Sequence, residues 1–589
     1  MNYGIDNIKF SNVKYGKEID GIFNFLSDNQ LKDKKLWETL VFQFVIKTDK
    51  NDNGWRGEFW GKLMRGASLV YSYTKDEELY EILHNTVNAL LNAADEKGLI
   101  RTYSDDKEFC GWDIWSRKYV MLGLNFYLDI CKDNEQKEKI ITALSSLADY
   151  MIEKVGDGKG RKAFNRTSGL WGCMNSYSIL QPIVKLYKLT GDKKYLDYAT
   201  EIIKTNDVRG MNIFEKAYED RIAPFEYAAN KAYEMVSCFE GLLEYYEATG
   251  IKDCLLTVDR FAKKLLATDF TLIGGTGCKS EQLDNSTARQ VVHSPNEMQE
   301  TCVTVTIIKF FTQLYLHSKD TVYMDAVERA FYNLYIGAIN FGYKKDNKFP
   351  IFLSYSPILD SPRWRFTGGR KNIAPGTQYG CCISIGAVGL GMIPRCSAFA
   401  QGENVYISFL SNASYSIETQ NGLVEFTVSG GYPDNGKLKI SLTKVPENGV
   451  YLNIRKPTWC KNYTVSSEKF ALNNGFIASK NKLTKRLDLE LDFEMPIECV
   501  LSESVNHAID YRIALMKGPI VLAQDSFDED VLFYFDLDED SVNKITDELG
   551  RVAYNVKMRD GSFVTLNKYC DCAKQEIDIQ RLNVWFRRK

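Results

Sequence analysis

The sequence predicts a protein of two parts, an (α/α)6 helical barrel followed by an antiparallel β-sandwich region. Five similar breaks separate apolar-periodic helices, and their aspartates recur at intervals of 57, 59, 61 and 67 residues: Asp76, Asp133, Asp192, Asp253 and Asp320. Such a period indicates stacked helical hairpins. After about residue 400 short alternating runs replace the helices. We therefore expect a barrel domain over 1–400 and a β-sandwich region over 401–589, which could comprise two small sandwiches.

The bulk composition excludes several classes of partner. A net charge of −3 gives no electrostatic reason to expect nucleic acid or an anionic membrane. No run approaches the roughly 20 apolar residues of a membrane span, and the first residues lack the pattern of a signal peptide. Fourteen irregularly spaced cysteines favour reduced thiols, so we expect a cytoplasmic location. Because the chain has only four histidines, we expect any metal site to use Cys and Glu.

The helices that open successive hairpins share a tryptophan. Trp55 in "NGWRGEFWGK", Trp112 in "CGWDIWSRKY" and Trp171 in "GLWGCMNSYS" occupy equivalent positions. Further inner helices are expected near "NKAYEMVSCF", near "SPNEMQETCV" and over about 383–399, and an unpaired helix over about 35–48 would close the ring. Six inner and six outer helices result, and all the inner-helix starts surround one mouth.

The region after residue 400 has the pattern of a sandwich. "NVYISFL", "LVEFTVSGG", "KLKISLTK", "VYLNIRKP" and "KRLDLELDFEM" are short runs bounded by Gly, Asn and Pro. Runs of this length and spacing predict antiparallel strands.

Two adjacent cysteines, Cys381 and Cys382, begin the sixth inner helix. Chance, a strained disulfide or two ligands of one metal could each explain the pair; adjacent Cα atoms lie about 3.8 Å apart, which is short for a disulfide. Glu300 and Cys302 of "QETC" begin the neighbouring fifth helix. Three thiols and a carboxylate at one mouth predict a closed tetrahedral Zn²⁺ site.

The segment before Glu300 complicates this prediction. "SPNE" is typical of a capping box, with Ser294 at the cap and Glu297 reaching back, so Glu297 is interpreted as structural. A helix that began there would direct Glu300 and Cys302 apart. Either the first turns are distorted, or the Glu300 side chain curls towards the metal.

The "ETC" and "CC" elements, together with "GGTGCKSEQLDN", "YMDAVERAFYNLYIGA" and "RIALMKGPIVLA", resemble glycoside hydrolase family 127, the β-L-arabinofuranosidase group. The resemblance implies an (α/α)6 barrel with β-sandwich domains. It implies that Glu300, Cys302, Cys381 and Cys382 bind zinc, that Cys381 is the nucleophile, and that Glu281 is the general acid/base. The implied reaction is retaining release of β-L-arabinofuranosyl or related residues from short glycosides.

The chain also departs from that family. Ile383, Ser384 and Ile385 replace a proline and asparagine segment, Lys118 stands where relatives often carry histidine, and the fourth inner helix lacks its usual histidine. Another furanoside or a deoxy sugar therefore remains open as substrate.

Aromatic residues at the mouth could bind a sugar, although core packing is the alternative for each. The candidates, with one nearby histidine, are Trp55, Trp112, Trp115, Trp171, Tyr379 and His293. Two other functions stay open: a barrel hydrolase or lyase that uses carboxylates such as Glu58 or Asp113, and a noncatalytic sugar-binding protein with structural zinc. The partner expected is a small glycoside, and a homodimer is left open.

Overall fold

The computed structural model describes residues 7–47, 57–292, 298–344, 349–364, 370–374, 377–502, 512–527, 534–535 and 537–588. Helices dominate before residue 398 and strands dominate after it. The helices are α1 Lys17–Leu26, α2 Lys34–Ile46, α3 Gly57–Thr74, α4 Glu77–Asn92, α5 Asp113–Leu128, α6 Asn134–Lys154, α7 Met174–Tyr177, α8 Leu180–Thr190, α9 Lys193–Lys204, α10 Ile213–Glu219, α11 Ala232–Thr249, α12 Lys252–Thr268, α13 Ser286–Arg289, α14 Thr301–Ser318, α15 Thr321–Arg329, α16 Ile336–Ala338 and α17 Cys381–Ser397.

The strands fall into two short ladders beside the helices and three larger sheets. They are β1 Ile8–Phe10, β2 Asn12–Tyr15, β3 Met298–Glu300, β4 Tyr355–Pro357, β5 Ser361–Pro362, β6 Arg370–Ala374, β7 Thr377–Gly380, β8 Ala398–Gln401, β9 Asn404–Ile407, β10 Ala413–Thr419, β11 Gly422–Gly430, β12 Lys437–Lys444, β13 Tyr451–Arg455, β14 Tyr463–Val465, β15 Phe470–Asn473, β16 Phe476–Ser479, β17 Leu487–Phe493, β18 Ile497–Leu501, β19 Arg512–Lys517, β20 Ile520–Ser526, β21 Tyr534–Phe535, β22 Leu537–Thr546, β23 Val552–Met558, β24 Phe563–Lys568, β25 Arg581–Asn583 and β26 Phe586–Arg588.

Six helices form a closed inner ring. Helix α3 packs on α5, and the ring continues through α8, α11, α14 and α17 back to α3. Each of the first five is followed directly by an outer helix that packs on it: α4, α6, α9, α12 and α15. The predicted helical barrel is confirmed. The helix expected at 35–48 is α2, which packs on α3 and α4, whereas the unpredicted α1 packs against both α17 and α3.

The repeated aspartates cap the outer helices. The side chains of Asp76, Asp133, Asp192 and Asp320 each accept a hydrogen bond from a backbone N–H in the first turn that follows. A cap of this kind satisfies a helix N-terminus that would otherwise lack partners. Asp253 differs, because it lies inside the first turn of α12. The period read from the sequence is thus mainly a period of N-caps.

The strands build a mainly antiparallel region. Two six-stranded sheets have the orders β1-β8-β9-β13-β16-β15 and β14-β17-β12-β11-β10-β2, and a third sheet comprises ten strands. Along β11, β12 and β17 alternate side chains are buried, as a half-buried sheet requires. The N-terminal strands β1 and β2 join these sheets through β8 and β10. Among the described residues, no helix has the length and apolar character needed to cross a membrane.

Candidate active site

The starts of the inner helices α3, α5, α11, α14 and α17 surround one cavity of about 240 Å³, and Trp171, from the turn before α7, completes its wall. Because these five helices run in the same direction, side chains from their first two turns, or from the residues just before them, meet at one end of the barrel. One further loop contributes Glu281. The lining residues are Glu58, Lys62, Trp112, Trp115, Trp171, Lys231, Tyr233, Glu234, Glu281, Glu300, Cys302 and Cys381.

The fifth inner helix begins later than the capping-box pattern predicts. Residues 294–297 lie outside the described part of the chain, but residues 298–300 form strand β3 and the helix starts at Thr301. Strand β3 is held extended by its antiparallel partner β4, with Glu300 opposite Tyr355. Glu300 therefore has extended backbone while Cys302 is in the first helical turn, so both side chains reach the same point.

Glu300, Cys302, Cys381 and Cys382 form a compact cluster whose ligand atoms all lie within 4.8 Å of one another. The Cys381 Sγ is 3.9 Å from the Cys382 Sγ and 3.8 Å from Glu300 Oε1, and the Cys382 Sγ is 3.4 Å from that oxygen. All fourteen cysteines lie within the described ranges and are free. The cysteine pair is thus two thiols turned towards one centre, not a disulfide.

These separations fit a tetrahedral zinc site. Zn–S bonds of about 2.3 Å and Zn–O bonds of about 2.0 Å at tetrahedral angles place two sulfurs about 3.8 Å apart, and a sulfur and an oxygen about 3.5 Å apart. The donor set of three thiols and one carboxylate also suits Zn²⁺ better than Mg²⁺ or Ca²⁺. The three separations given for Glu300, Cys381 and Cys382 are thus close to those that a tetrahedral metal ion requires.

The three thiols differ in acidity. Hydrogen bonds from Cys302 and Cys382 hold the pKa of Cys381 well below its usual value, and the nearby Lys62 acts in the same direction. Burial raises the pKa of both Cys302 and Cys382. Cys381 is also the most exposed of the three, so the thiol that most readily becomes a thiolate is a partly exposed one that lines the cavity.

Glu281 reaches the cavity from a strained glycine-rich turn. Its own φ is +60°, and Gly274 at φ +86° approaches Ala330 so closely that a Cβ would lie 2.4 Å from the Ala330 Cα. The two carboxylate oxygens of Glu281 accept hydrogen bonds from the ammonium of Lys231 and the hydroxyl of Tyr355. Since Tyr355 is the strand partner of Glu300, one ladder connects Glu281 to the cysteine cluster.

Two further carboxylates line the cavity. Glu58 accepts hydrogen bonds from Lys62 at 2.5 Å and from the Trp115 Nε1 at 2.7 Å. Glu234 is 3% exposed, and its Oε2 has no hydrogen-bond partner among the described residues. Burial, opposed by Lys231, raises the pKa of Glu234 to about 7.

Four residues of the cavity lining were not predicted from the sequence: Lys62, Lys231, Tyr233 and Glu234. Lys231 and Glu234 flank the start of the fourth inner helix in "NKAYEM", and Lys62 lies one turn after Glu58. These residues could have been identified from their positions near the starts of α3 and α11, because those inner helices begin at the mouth.

The predicted sugar-binding residues have different outcomes. Trp112 and Trp171 line the cavity with their ring centroids 5.4 Å apart. Tyr379 is buried away from the lining, where it accepts a hydrogen bond from Gln30 and packs on Phe59. Trp55 and His293 lie outside the described residues.

The carboxylate Asp113, considered as an alternative catalytic group, is fully buried. It accepts hydrogen bonds from Arg117 and from the Phe109 backbone N–H. Asp113 is not part of the cavity lining, so it supports the start of α5 rather than meeting a substrate.

Known proteins resemble this chain over most of its length. The protein-family model of the β-L-arabinofuranosidase GH127 catalytic domain matches residues 15–384 of this chain. A non-reducing end β-L-arabinofuranosidase of Bifidobacterium longum subsp. longum is 21% identical over 563 residues, which cover 85% of this chain and 80% of that protein.

Solved structures share the complete fold. A GH127 β-arabinofuranosidase matches with a TM-score of 0.78 and 17% identity over 100% of this chain and 99% of its own. A GH127 β-L-arabinofuranosidase from Geobacillus stearothermophilus T6 matches with a TM-score of 0.76 and 16% identity over 98% of this chain and 100% of its own.

Proposed function

Because the chain belongs to the GH127 β-L-arabinofuranosidase family and is a glycosidase, we propose that it releases β-L-arabinofuranosyl or closely related residues from short glycosides with retention of configuration. The nucleophile is the Cys381 thiolate and the general acid/base is Glu281. The observation that carries the proposal is that Cys381 belongs to a four-ligand cluster and also lines the cavity that contains Glu281.

The metal of this proposal is Zn²⁺, held by Glu300, Cys302, Cys381 and Cys382. When bound, it would remove the thiol protons and keep the sulfurs as thiolates at neutral pH. The ligand spacing and the three-sulfur donor set support zinc over harder cations.

Cys381 is the best-placed sulfur for attack on a sugar. It lines the cavity and is partly exposed, whereas Cys382 is 1% exposed and is not part of the lining. Cys302 also touches the cavity but is 2% exposed and has the Lys62 ammonium 3.9 Å from its sulfur. A thiolate is a strong nucleophile, so it can replace the carboxylate that most retaining glycosidases use.

Glu281 supplies proton transfer in both halves of the reaction. Its carboxyl group gives a proton to the departing glycosidic oxygen while the Cys381 sulfur attacks the anomeric carbon. Its carboxylate then takes a proton from the water that displaces the sulfur and frees the sugar. Lys231 and Tyr355 hold the two oxygens in place during these steps.

The cavity suits one small sugar residue. At about 240 Å³ it is smaller than the roughly 300–1,000 Å³ of pockets for drug-sized ligands. Trp112 and Trp171 offer aromatic faces and Glu58 and Glu234 offer acceptors for hydroxyl groups. The four ionisable groups Glu58, Lys62, Lys231 and Glu234 favour a substrate rich in hydroxyl groups.

A panel of nitrophenyl furanosides and pyranosides tests the proposal. We expect turnover of a β-L-arabinofuranoside or related furanoside, and we expect Cys381→Ser to lower kcat by at least about 10³-fold because an alcohol at this position is a weaker nucleophile. Cys396→Ser is the matched control, because Cys396 lies in the same helix with its thiol donating to the Ile393 carbonyl. That variant should keep its activity.

Metal content separates the alternatives. Purified protein should contain about one zinc per chain, and Cys302→Ser should lose it. If Cys381→Ser remained active, the carboxylates Glu58 and Glu234 would become the candidates for catalysis. If zinc were bound but no glycoside on the panel were hydrolysed, a noncatalytic role with structural zinc would replace the proposal.

A further inference from the structure

A second cavity, of about 190 Å³, lies between the helical barrel and the ten-stranded sheet. Leu272 after α12 and Arg329 at the end of α15 contribute the barrel side. Trp459, which follows β13, and the hairpin of β18 and β19 contribute the other side. None of its lining residues belongs to the active-site cavity, so it is a separate site.

Two hydrogen-bond donors in this cavity have no acceptor in the part of the chain that the structure describes. The Arg329 guanidinium makes no hydrogen bond or ion pair with any described residue; its carbon lies 5.7 Å from the centroid of the Phe270 ring, and the charge of Asp325 acts on it from a longer distance. The Trp459 Nε1 is buried and also lacks a partner among those residues. A buried donor without an acceptor is unfavourable. Arg329 is half-buried, so both groups can donate to a ligand that enters the cavity.

None of the nearby described carboxylates forms an ion pair with Arg329. Asp325 and Glu328, on the same helix, are both paired with the buried Arg455. Glu498 lines the cavity but forms an ion pair of 2.6 Å with the exposed Lys461. Asp325, whose charge acts on Arg329 from one turn earlier, is therefore shared with Arg455.

We propose that this cavity binds a small organic carboxylate. The planar guanidinium of Arg329 matches the two oxygens of a carboxylate, and the Trp459 N–H supplies a third donor. Leu272, Val500 and Met516 provide an apolar wall for the rest of the ligand. A cavity of about 150 Å³ accommodates benzene, so a ring or a short aliphatic body fits.

Calorimetric titration of the full-length protein with sodium benzoate at constant ionic strength tests the proposal. We expect one saturable site per chain, and binding of the neutral, similarly shaped benzamide at least about tenfold weaker, since it lacks the charge that pairs with Arg329. Equal binding of benzoate and benzamide, or no binding of benzoate, would overturn the proposal. Competition by chloride or phosphate at equal concentration would also overturn it, because the site would then take inorganic anions.

Variants locate the binding. Arg329→Gln should weaken benzoate binding at least about tenfold, and Trp459→Phe, which keeps a ring and removes only the N–H, should weaken it severalfold. Arg395→Gln is the control, because Arg395 is a surface arginine with an ion pair of 3.5 Å to Asp129. The affinity of this variant for benzoate should equal that of wild type. Unchanged affinity in Arg329→Gln and Trp459→Phe would contradict the proposal. Glycosidase activity should be the same in all three variants, so this result is independent of the proposed reaction.

Discussion

Glu234 shows how the surroundings of a single residue set its chemistry. Its carboxyl group lies at the start of α11 inside the barrel mouth, 3% exposed, and burial raises its pKa to about 7. The negative charges of Glu281 and Glu58 act in the same direction, while Lys231 opposes them. A carboxyl group with this pKa changes protonation near neutral pH, unlike an exposed glutamate.

This shift predicts a pH-dependent effect of Glu234→Gln on stability. Between about pH 4.5 and 7 the folded protein keeps the Glu234 proton while the unfolded chain releases it, so wild type loses stability relative to the variant as pH rises, by at most about 1.4 kcal/mol per pH unit. Below this window both states are protonated and above it both are ionised, so the difference becomes constant. Urea unfolding of the metal-free protein at several pH values measures it.

A free-energy difference that does not vary with pH over this window would show that the pKa of Glu234 is not raised. Glu226→Gln provides the comparison, because Glu226 is an exposed glutamate at the end of a short 3-10 helix whose carboxylate accepts from the Ala223 backbone N–H. The pH dependence measured for that variant is the baseline against which the dependence of Glu234→Gln is compared.

Residue types were predictable from the sequence, but backbone conformation was not. The four cluster residues could be named because cysteines and a glutamate recur at the starts of two neighbouring helices. The extended backbone at Glu300 could not be predicted, because it depends on pairing with Tyr355, more than fifty positions later in the chain. The raised pKa of Glu234 likewise depends on neighbours from other helices.

At the scale of elements, close approach of the inner helices depends on glycine. Helix α3 crosses α5 where Gly61 faces Tyr119, and a Cβ at Gly61 would lie 1.9 Å from the Tyr119 carbonyl oxygen. Gly123 lies opposite, so that a Cβ there would be 3.0 Å from the Gly61 Cα. Both positions have ordinary helical backbone, so space between the helices, not φ, requires glycine.

Gly61→Ala should therefore destabilise the barrel. The added methyl group forces α3 and α5 apart, and overpacking of this kind costs about 1–3 kcal/mol or more. Gly21→Ala in α1 is the matched control, because its Cβ would meet nothing within 4 Å and helix propensity favours alanine by about 1 kcal/mol. Chemical denaturation of both variants should give shifts of opposite sign, and a neutral Gly61→Ala would contradict the close packing.

Helical hairpins were predictable because four of the five breaks contain an aspartate cap that acts locally. The aspartate N-caps and the apolar periodicity gave the number of inner helices and their order. Helix α1 and strands β1 and β2 were not predicted. The two strands form by pairing with β8 and β10, which lie almost four hundred residues later in the chain. Local pattern could not indicate that pairing.

The whole molecule is joined by contacts between the barrel and the sheets. Strands β1 and β2 place the N-terminal residues in the β region, so we propose a division near residue 400 in which residues 8–15 are assigned to the β part. Arg455 on β13 provides a direct bond across this division. Its guanidinium is fully buried and pairs with Asp325 and with Glu328, the latter at 2.5 Å, both on α15.

Removal of Arg455 should weaken the whole molecule more than any exposed ion pair does. Arg455→Met leaves Glu328, which is fully buried, without its counter-charge, and such a loss costs about 3–5 kcal/mol. The exposed pair of Lys482 and Glu403 supplies the comparison, since Lys482→Met should change the free energy of unfolding by less than about 1 kcal/mol. The double variant Arg455→Met with Glu328→Gln should recover part of the loss, because the neutral amide does not leave a buried charge. Equal stability of the single and double variants, measured by guanidinium unfolding, would mean that the unpaired carboxylate is not the cause.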